Sequence, residues 1–128
     1  MNKNEILRVL YKDNSLTKDD VYTDKRGFTI ITRSGIEQIQ WNNKIDVCFE
    51  IISHEVGNVI IKATSFQDGV KKTETFASAT TSNCIQKFPV EIAEKRALAR
   101  VIIKTMGLTN THGKDEMDFQ EKAKTKAR

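Results

Sequence analysis

Between Ile45 and Thr81 three β-rich runs follow one another across two short turns, and that order leaves few folds open. Ile45, Val47, Phe49 and Ile51 alternate with Asp46, Cys48 and Glu50, the period of a strand with one buried face. Gly57-Asn58 then supplies a two-residue turn, because glycine tolerates the positive φ that tight hairpins need. Val59 to Phe66 forms a second β-rich run, Asp68-Gly69 a second tight turn, and Val70 to Thr81 a third run. Three strands joined by two short turns predict an antiparallel meander.

Helical signals flank it. After a connection over residues 82–87, the segment from Phe88-Pro89 to Gly107 has a proline at its start and glutamates (Glu91, Glu94) in its first turns, and ends on a glycine stop. It predicts the longest helix of the chain. Near the N-terminus, Ile6, Leu7, Leu10 and Tyr11 fall at helical spacing, and Thr17 with Asp20 offers a second short helical start. Lys25-Arg26-Gly27 reads as a turn and Phe28 to Thr32 as a β-rich run. Ser34 and Glu37 have capping-box spacing, which predicts a helix over about residues 35–41. The expected class is therefore α+β: a three-stranded antiparallel β-meander packed by a long C-terminal helix, with short N-terminal helices. The expected domain covers residues 1–108. Residues 109–128, with five basic and four acidic side chains and few apolar anchors, form a charged tail that is mobile or helical.

Composition removes several function classes. No apolar run approaches the roughly 20 residues of a membrane span, and Met1-Asn2-Lys3-Asn4-Glu5 lacks the apolar core of a signal peptide. A cytoplasmic protein without a membrane partner is expected. The two cysteines make neither a disulfide framework nor a metal quartet, and Cys48 within a strand reads as a small buried residue. His54 and His112 begin no metal-ligand spacing. Asp46, Glu50, Glu55 and Glu74 share no nuclease motif, and no glycine-rich phosphate loop is present. No enzyme, cofactor, metal or small-molecule substrate is expected.

The net charge of +4 permits a polyanionic partner. Projected at about 100° per residue, Arg96, Arg100 and Lys104 fall on one stripe of the long helix beside Ala93 and Ala97, with Leu98, Ile102 and Met106 opposite. Small alanines would let a phosphate backbone approach that stripe. Lys25 and Arg26 beside Phe28, with Arg33 at the end of the β-run, form a second basic group, and Lys71-Lys72 a third. Trp41, in the polar context Gln40-Trp-Asn-Asn43, is the candidate platform for a stacked base. Phe49, Phe66 and Phe76 belong to strands and read as core. The structural alternative is that the stripe is a solvated face, or that it meets the acidic surface of a protein partner.

The order of a three-strand meander, a connection and a helix reading Glu94-Lys-Arg-Ala-Leu-Ala-Arg100 resembles the β-β-β-α core of the single-strand annealing superfamily. The segments Tyr22-Thr-Asp-Lys-Arg-Gly-Phe-Thr-Ile-Ile-Thr-Arg-Ser-Gly-Ile36 and Val90-Glu-Ile-Ala-Glu-Lys-Arg-Ala-Leu98 look like parts of short phage proteins that bind single-stranded DNA. The resemblance spans about residues 1–108. It implies an ATP-independent protein of phage replication or recombination, resident in the host cytoplasm. Such a protein holds single-stranded DNA by its backbone, often as a homo-oligomer, and in some cases anneals complementary strands. The expected nucleic-acid-binding residues are Lys25, Arg26, Arg33, Trp41, Arg96, Arg100 and Lys104. The alternative function is a protein–protein adaptor that uses the basic helix face.

Overall fold

The computed structural model describes residues 2–80 and 89–115. Within them lie three α-helices and two three-stranded sheets, one antiparallel and one mixed, so the class is α+β.

Helix α1 (Lys3–Arg8) starts at Asn2. The Asn2 side chain accepts from the Glu5 amide at 2.9 Å and donates to the Glu5 carboxylate at 3.1 Å. The helix widens into a π-type turn over Val9–Asp13 and stops at Asn14, which is buried. Asn14 donates to the Val9 carbonyl at 2.9 Å and accepts from Asn43 at 2.8 Å, so one amide ties the N-terminal helix to the end of α2. Thr17 does not start a helix. Its amide and hydroxyl both donate to the Asp20 carboxylate, which closes a turn in place of a helical cap.

Strands β1 (Val21–Thr23) and β2 (Thr29–Ile31) form an antiparallel hairpin, and all three β2 residues are buried. Helix α2 (Arg33–Asn42) begins two residues before the expected start. Its cap is Thr32, whose hydroxyl accepts from the Gly35 amide at 3.3 Å. Ser34 instead donates to Asp20 at 3.3 Å. Gly35 is required there, because a Cβ would lie 2.7 Å from the Ile31 Cγ2 atom. At the far end, Ile45 donates to the Gln40 carbonyl and Lys44 to that of Trp41, with Lys44 at φ 52° in the left-handed position that ends such a helix.

Strands β3 (Asp46–Glu55), β4 (Asn58–Gln67) and β5 (Val70–Thr80) pair antiparallel in sequence order. The first turn is Val56-Gly57, one residue earlier than expected, since Glu55 opposes Asn58. The second is Asp68-Gly69. Helix α3 (Pro89–Thr105) lies across β4 and β5. It buries Ala93, Ala97, Leu98, Val101 and Ile102 against Val59, Ile61, Ala63, Ala77 and Ala79. Each fully buried valine or isoleucine there is worth about 1.5–3 kcal/mol relative to exposure, and each alanine methyl about 0.8 kcal/mol. Helix α3 does not lie across β3, and this leaves Phe49 and Ile51 exposed, as is Phe76 on β5. Cys48 on β3 is likewise exposed, not buried. The expectation that Phe49 and Phe76 are core therefore fails, because alternation marks two faces without saying which one is covered.

The helix closes at Gly107 (φ 69°), with Leu108 donating to the Ile103 carbonyl and Gly107 to that of Lys104. The chain then returns as β6 (Thr111–Gly113), parallel to β2. This strand lies beyond the expected domain edge at residue 108 and belongs to the mixed sheet β1-β2-β6. Of the expected tail, residues 116–128 lie outside the described residues, as do Cys84 and the connection before α3. No helix among the described residues is long and apolar enough to cross a membrane.

Candidate nucleic-acid interface

The predicted basic stripe divides along α3. Arg96 is only 7% exposed, and its guanidinium donates to the Ser78 carbonyl at 2.9 Å and to the Asp115 carbonyl at 3.4 Å. Arg100, one turn later, donates to the Phe76 carbonyl at 2.7 Å. The spacings match. Four helical residues advance about 6 Å and two strand residues about 6.8 Å, so one arginine per turn meets every second carbonyl of β5. The alanines on the stripe let the helix approach the sheet, where the sequence suggested approach to a phosphate. Arg96 is thereby withdrawn from the surface.

Arg33 is held too. It makes a two-point contact with the Asp115 carboxylate, at 2.9 and 3.2 Å, across 82 positions of sequence. Asp115 thus meets Arg33 through its carboxylate and Arg96 through its carbonyl. Both arginines fasten the end of the described fold.

The remaining basic groups come together differently from the prediction. Arg100 and Lys104 line a cleft of about 460 Å³ with Thr75, Ile103, Leu108, Thr111 and His112. Among the described residues no acidic side chain lines it. The Thr75 and Thr111 hydroxyls donate to the carbonyls of Ala97 and Thr109, and the cleft's positive charge comes from Arg100 and Lys104, with the His112 imidazole beside them. Lys104 is exposed. His112 stands edge-on to Phe28, with ring centres 4.9 Å apart and planes at 86°. On Phe28 rests the Arg26 guanidinium, 5.2 Å from the ring centre. The cleft therefore continues through an aromatic pair to the Lys25-Arg26 turn.

That turn is built by Asp24. Its carboxylate accepts from the backbone amides of Arg26 and Phe28 at 3.0 Å each and from the Arg26 side chain at 2.9 and 3.2 Å. Partial desolvation works to raise the Asp24 carboxyl, but the Arg26 hydrogen bond, the two amides and the Arg26 charge together hold it below the usual range. Lys25 is exposed at the tip.

Trp41 lies apart from the cleft. It is 83% exposed at the end of α2, in a hollow of about 610 Å³ shared with Glu37, Gln40, Lys44, Ile45 and Asp46. The two linings have no residue in common. Of the strand carboxylates, Glu50 and Glu74 approach the same Lys62 ammonium. Glu50 pairs with Lys62 at 3.1 Å and Glu74 with Lys71 at 3.2 Å. The Glu50 hydrogen bond and charge raise the Lys62 ammonium, against desolvation and with help from Glu74. Among the described residues no group of three or more His, Cys, Asp or Glu side chains is placed to hold a metal.

Sequence reasoning missed His112, which it considered only as a metal ligand. The signal that could have found it is slight, because β6 is three residues long and pairs with a strand some 80 positions away. No known family model matches this chain, and no curated protein or solved structure matches it.

Proposed function

We propose that this protein binds single-stranded DNA through the cleft of Arg100, Lys104 and His112, with the Lys25-Arg26 turn extending the contact. The observation that carries the reading is a cleft lined by Arg100 and Lys104, and by no acidic side chain among the described residues, that leads onto the aromatic pair Phe28–His112. Charge-assisted hydrogen bonds to phosphate are stronger and shorter than neutral ones, and an aromatic edge beside a basic groove suits unpaired bases. The antiparallel strands β3 to β5, with α3 across two of them, are the core that would present this cleft. Annealing of complementary strands without ATP, in a phage context and as an oligomer, is the extension that the resemblance suggests. No catalytic residue or cofactor enters the reading. The adaptor alternative would use the same helix face, on which Lys104 is exposed and Arg96 is buried against β5.

The test is a fluorescence-anisotropy titration of labelled oligo(dT) at several salt concentrations, with duplex and complementary-strand controls. If about three phosphates are contacted, the log–log salt slope is roughly −2, and affinity falls about 16-fold between 50 and 200 mM salt. Lys104→Glu should weaken binding at every salt concentration. Absence of binding, equal binding by duplex, or an affinity indifferent to salt and to Lys104→Glu overturns the reading.

A further inference from the structure

The hollow around Trp41 has the opposite electrostatic character to the cleft. Helix α2 buries Ile36 and Ile39. Trp41 follows Ile39 by two residues, about 200° around the helix, so the register that buries the isoleucines turns the indole outward. Glu37, one turn before Trp41, lies on the same stripe, and Asp46 closes the hollow at the start of β3. Two carboxylates against the single ammonium of Lys44 leave the lining net negative. Phosphates are repelled there, while a cation is attracted by both carboxylates and by the indole face. Gln40 is already engaged, donating to the Ile45 carbonyl at 3.2 Å.

The strand that leaves this hollow shares its character. Among the described residues β3 pairs with β4 alone, and none of them pairs with its other edge. Phe49, Ile51 and Ile52 are exposed along it. Its charged residues are Asp46, Glu50 and Glu55, with no lysine or arginine among positions 46–55. A lysine on an edge strand is one common guard against strand addition, and β3 carries none. At the other edge of the sheet, two β5 carbonyls are held by Arg96 and Arg100.

We propose that this surface is a docking site for an extended basic segment of a partner protein. Such a segment adds along β3 and places one lysine or arginine side chain against Trp41, between Glu37 and Asp46. Main-chain pairing supplies affinity, and the acidic, aromatic hollow selects the side chain. The site is separate from the proposed DNA cleft, and either can fail without the other.

Trp41 is the only tryptophan, so its emission reports the hollow directly. The probe is a capped peptide of alternating lysine and threonine, with a counterpart in which glutamate replaces lysine. The lysine peptide should change Trp41 emission saturably and the glutamate peptide should not. Glu37→Lys with Asp46→Lys should weaken the lysine peptide at least about tenfold with the circular dichroism unchanged. The neutral pair Glu37→Gln with Asp46→Asn, a milder second variant, should weaken it severalfold. Oligo(dT), even where anisotropy shows it bound, should leave Trp41 emission unmoved. Silence towards the lysine peptide, an equal response to the glutamate peptide, or a response unaltered in both variants overturns the proposal. Quenching by oligo(dT) alone assigns the indole to bases and overturns it as well.

Discussion

Replacing Arg96 by alanine separates a residue that holds the fold from one that holds a ligand. The side chain donates a 2.9 Å charged hydrogen bond to the Ser78 carbonyl and a weaker one, at 3.4 Å, to Asp115. A hydrogen bond to a charged group contributes about 1.5–3 kcal/mol, and the 3.4 Å contact adds little. Burial of the aliphatic stem, at about 0.8 kcal/mol per methylene, adds one to two more. The expected cost is therefore about 3–4 kcal/mol. For a chain of this size 1 kcal/mol corresponds to roughly 3–4 °C, so Arg96→Ala should melt about 9–16 °C early. Typical domain stabilities of about 5–15 kcal/mol leave it mostly folded at low temperature. Thermal melts by circular dichroism measure the shift, and oligo(dT) anisotropy well below both midpoints should show affinity within about twofold of the parent. Lys104→Ala, exposed on the same helix, should invert the pattern, with an unchanged midpoint and weaker binding. An Arg96→Ala protein that melts within about 2 °C of the parent yet loses most of its affinity would refute this assignment of roles.

Gly113→Ala should destabilise by about 1–3 kcal/mol in denaturant unfolding, the usual cost of overpacking, because the added methyl overlaps the Ala99 side chain of α3. Neutrality would mean that β6 does not pack tightly there. Asp24 gives a pH dependence. Its folded carboxyl is held low, so its contribution is present above the ordinary value of about 3.9 and is lost as pH falls through the lower folded value. The Arg26 and Phe28 amide resonances should titrate with a midpoint below that of an ordinary aspartate, and a midpoint at or above it contradicts the geometry.

What could be read from the chain was local. Strand positions along β3 to β5 follow from period-2 alternation and from glycines at the turns, and α3 from Pro89 at its start and Gly107 at its end, since each signal lies within a few residues of its effect. The failures concern what faces what. Ser34 and Glu37 have the spacing of a cap, but Thr32 takes the role because Asp20, far away in sequence, claims the Ser34 hydroxyl. The helical projection correctly put Arg96, Arg100 and Lys104 on one stripe. It could not show that β5 offers carbonyls at matching intervals, which bury Arg96 while Arg100 and Lys104 stay exposed. The cleft was not legible for the same reason, because His112 reaches it only through a parallel pairing of β6 with β2 that no short-range pattern encodes.

The double grip on Asp115 has a consequence for the order of events during synthesis. A chain emerging N-terminus first can form the sheet of β3 to β5 and lay α3 across it before residue 111 appears. At that stage Arg33 lacks its carboxylate partner and the cleft lacks one wall. Arrival of Thr111–Gly113 beside β2 and of Asp115 between Arg33 and Arg96 completes both. A molecule whose core forms before β6 docks therefore lacks a finished cleft. Under the proposed function, a strand would meet His112 only in molecules whose mixed sheet has closed.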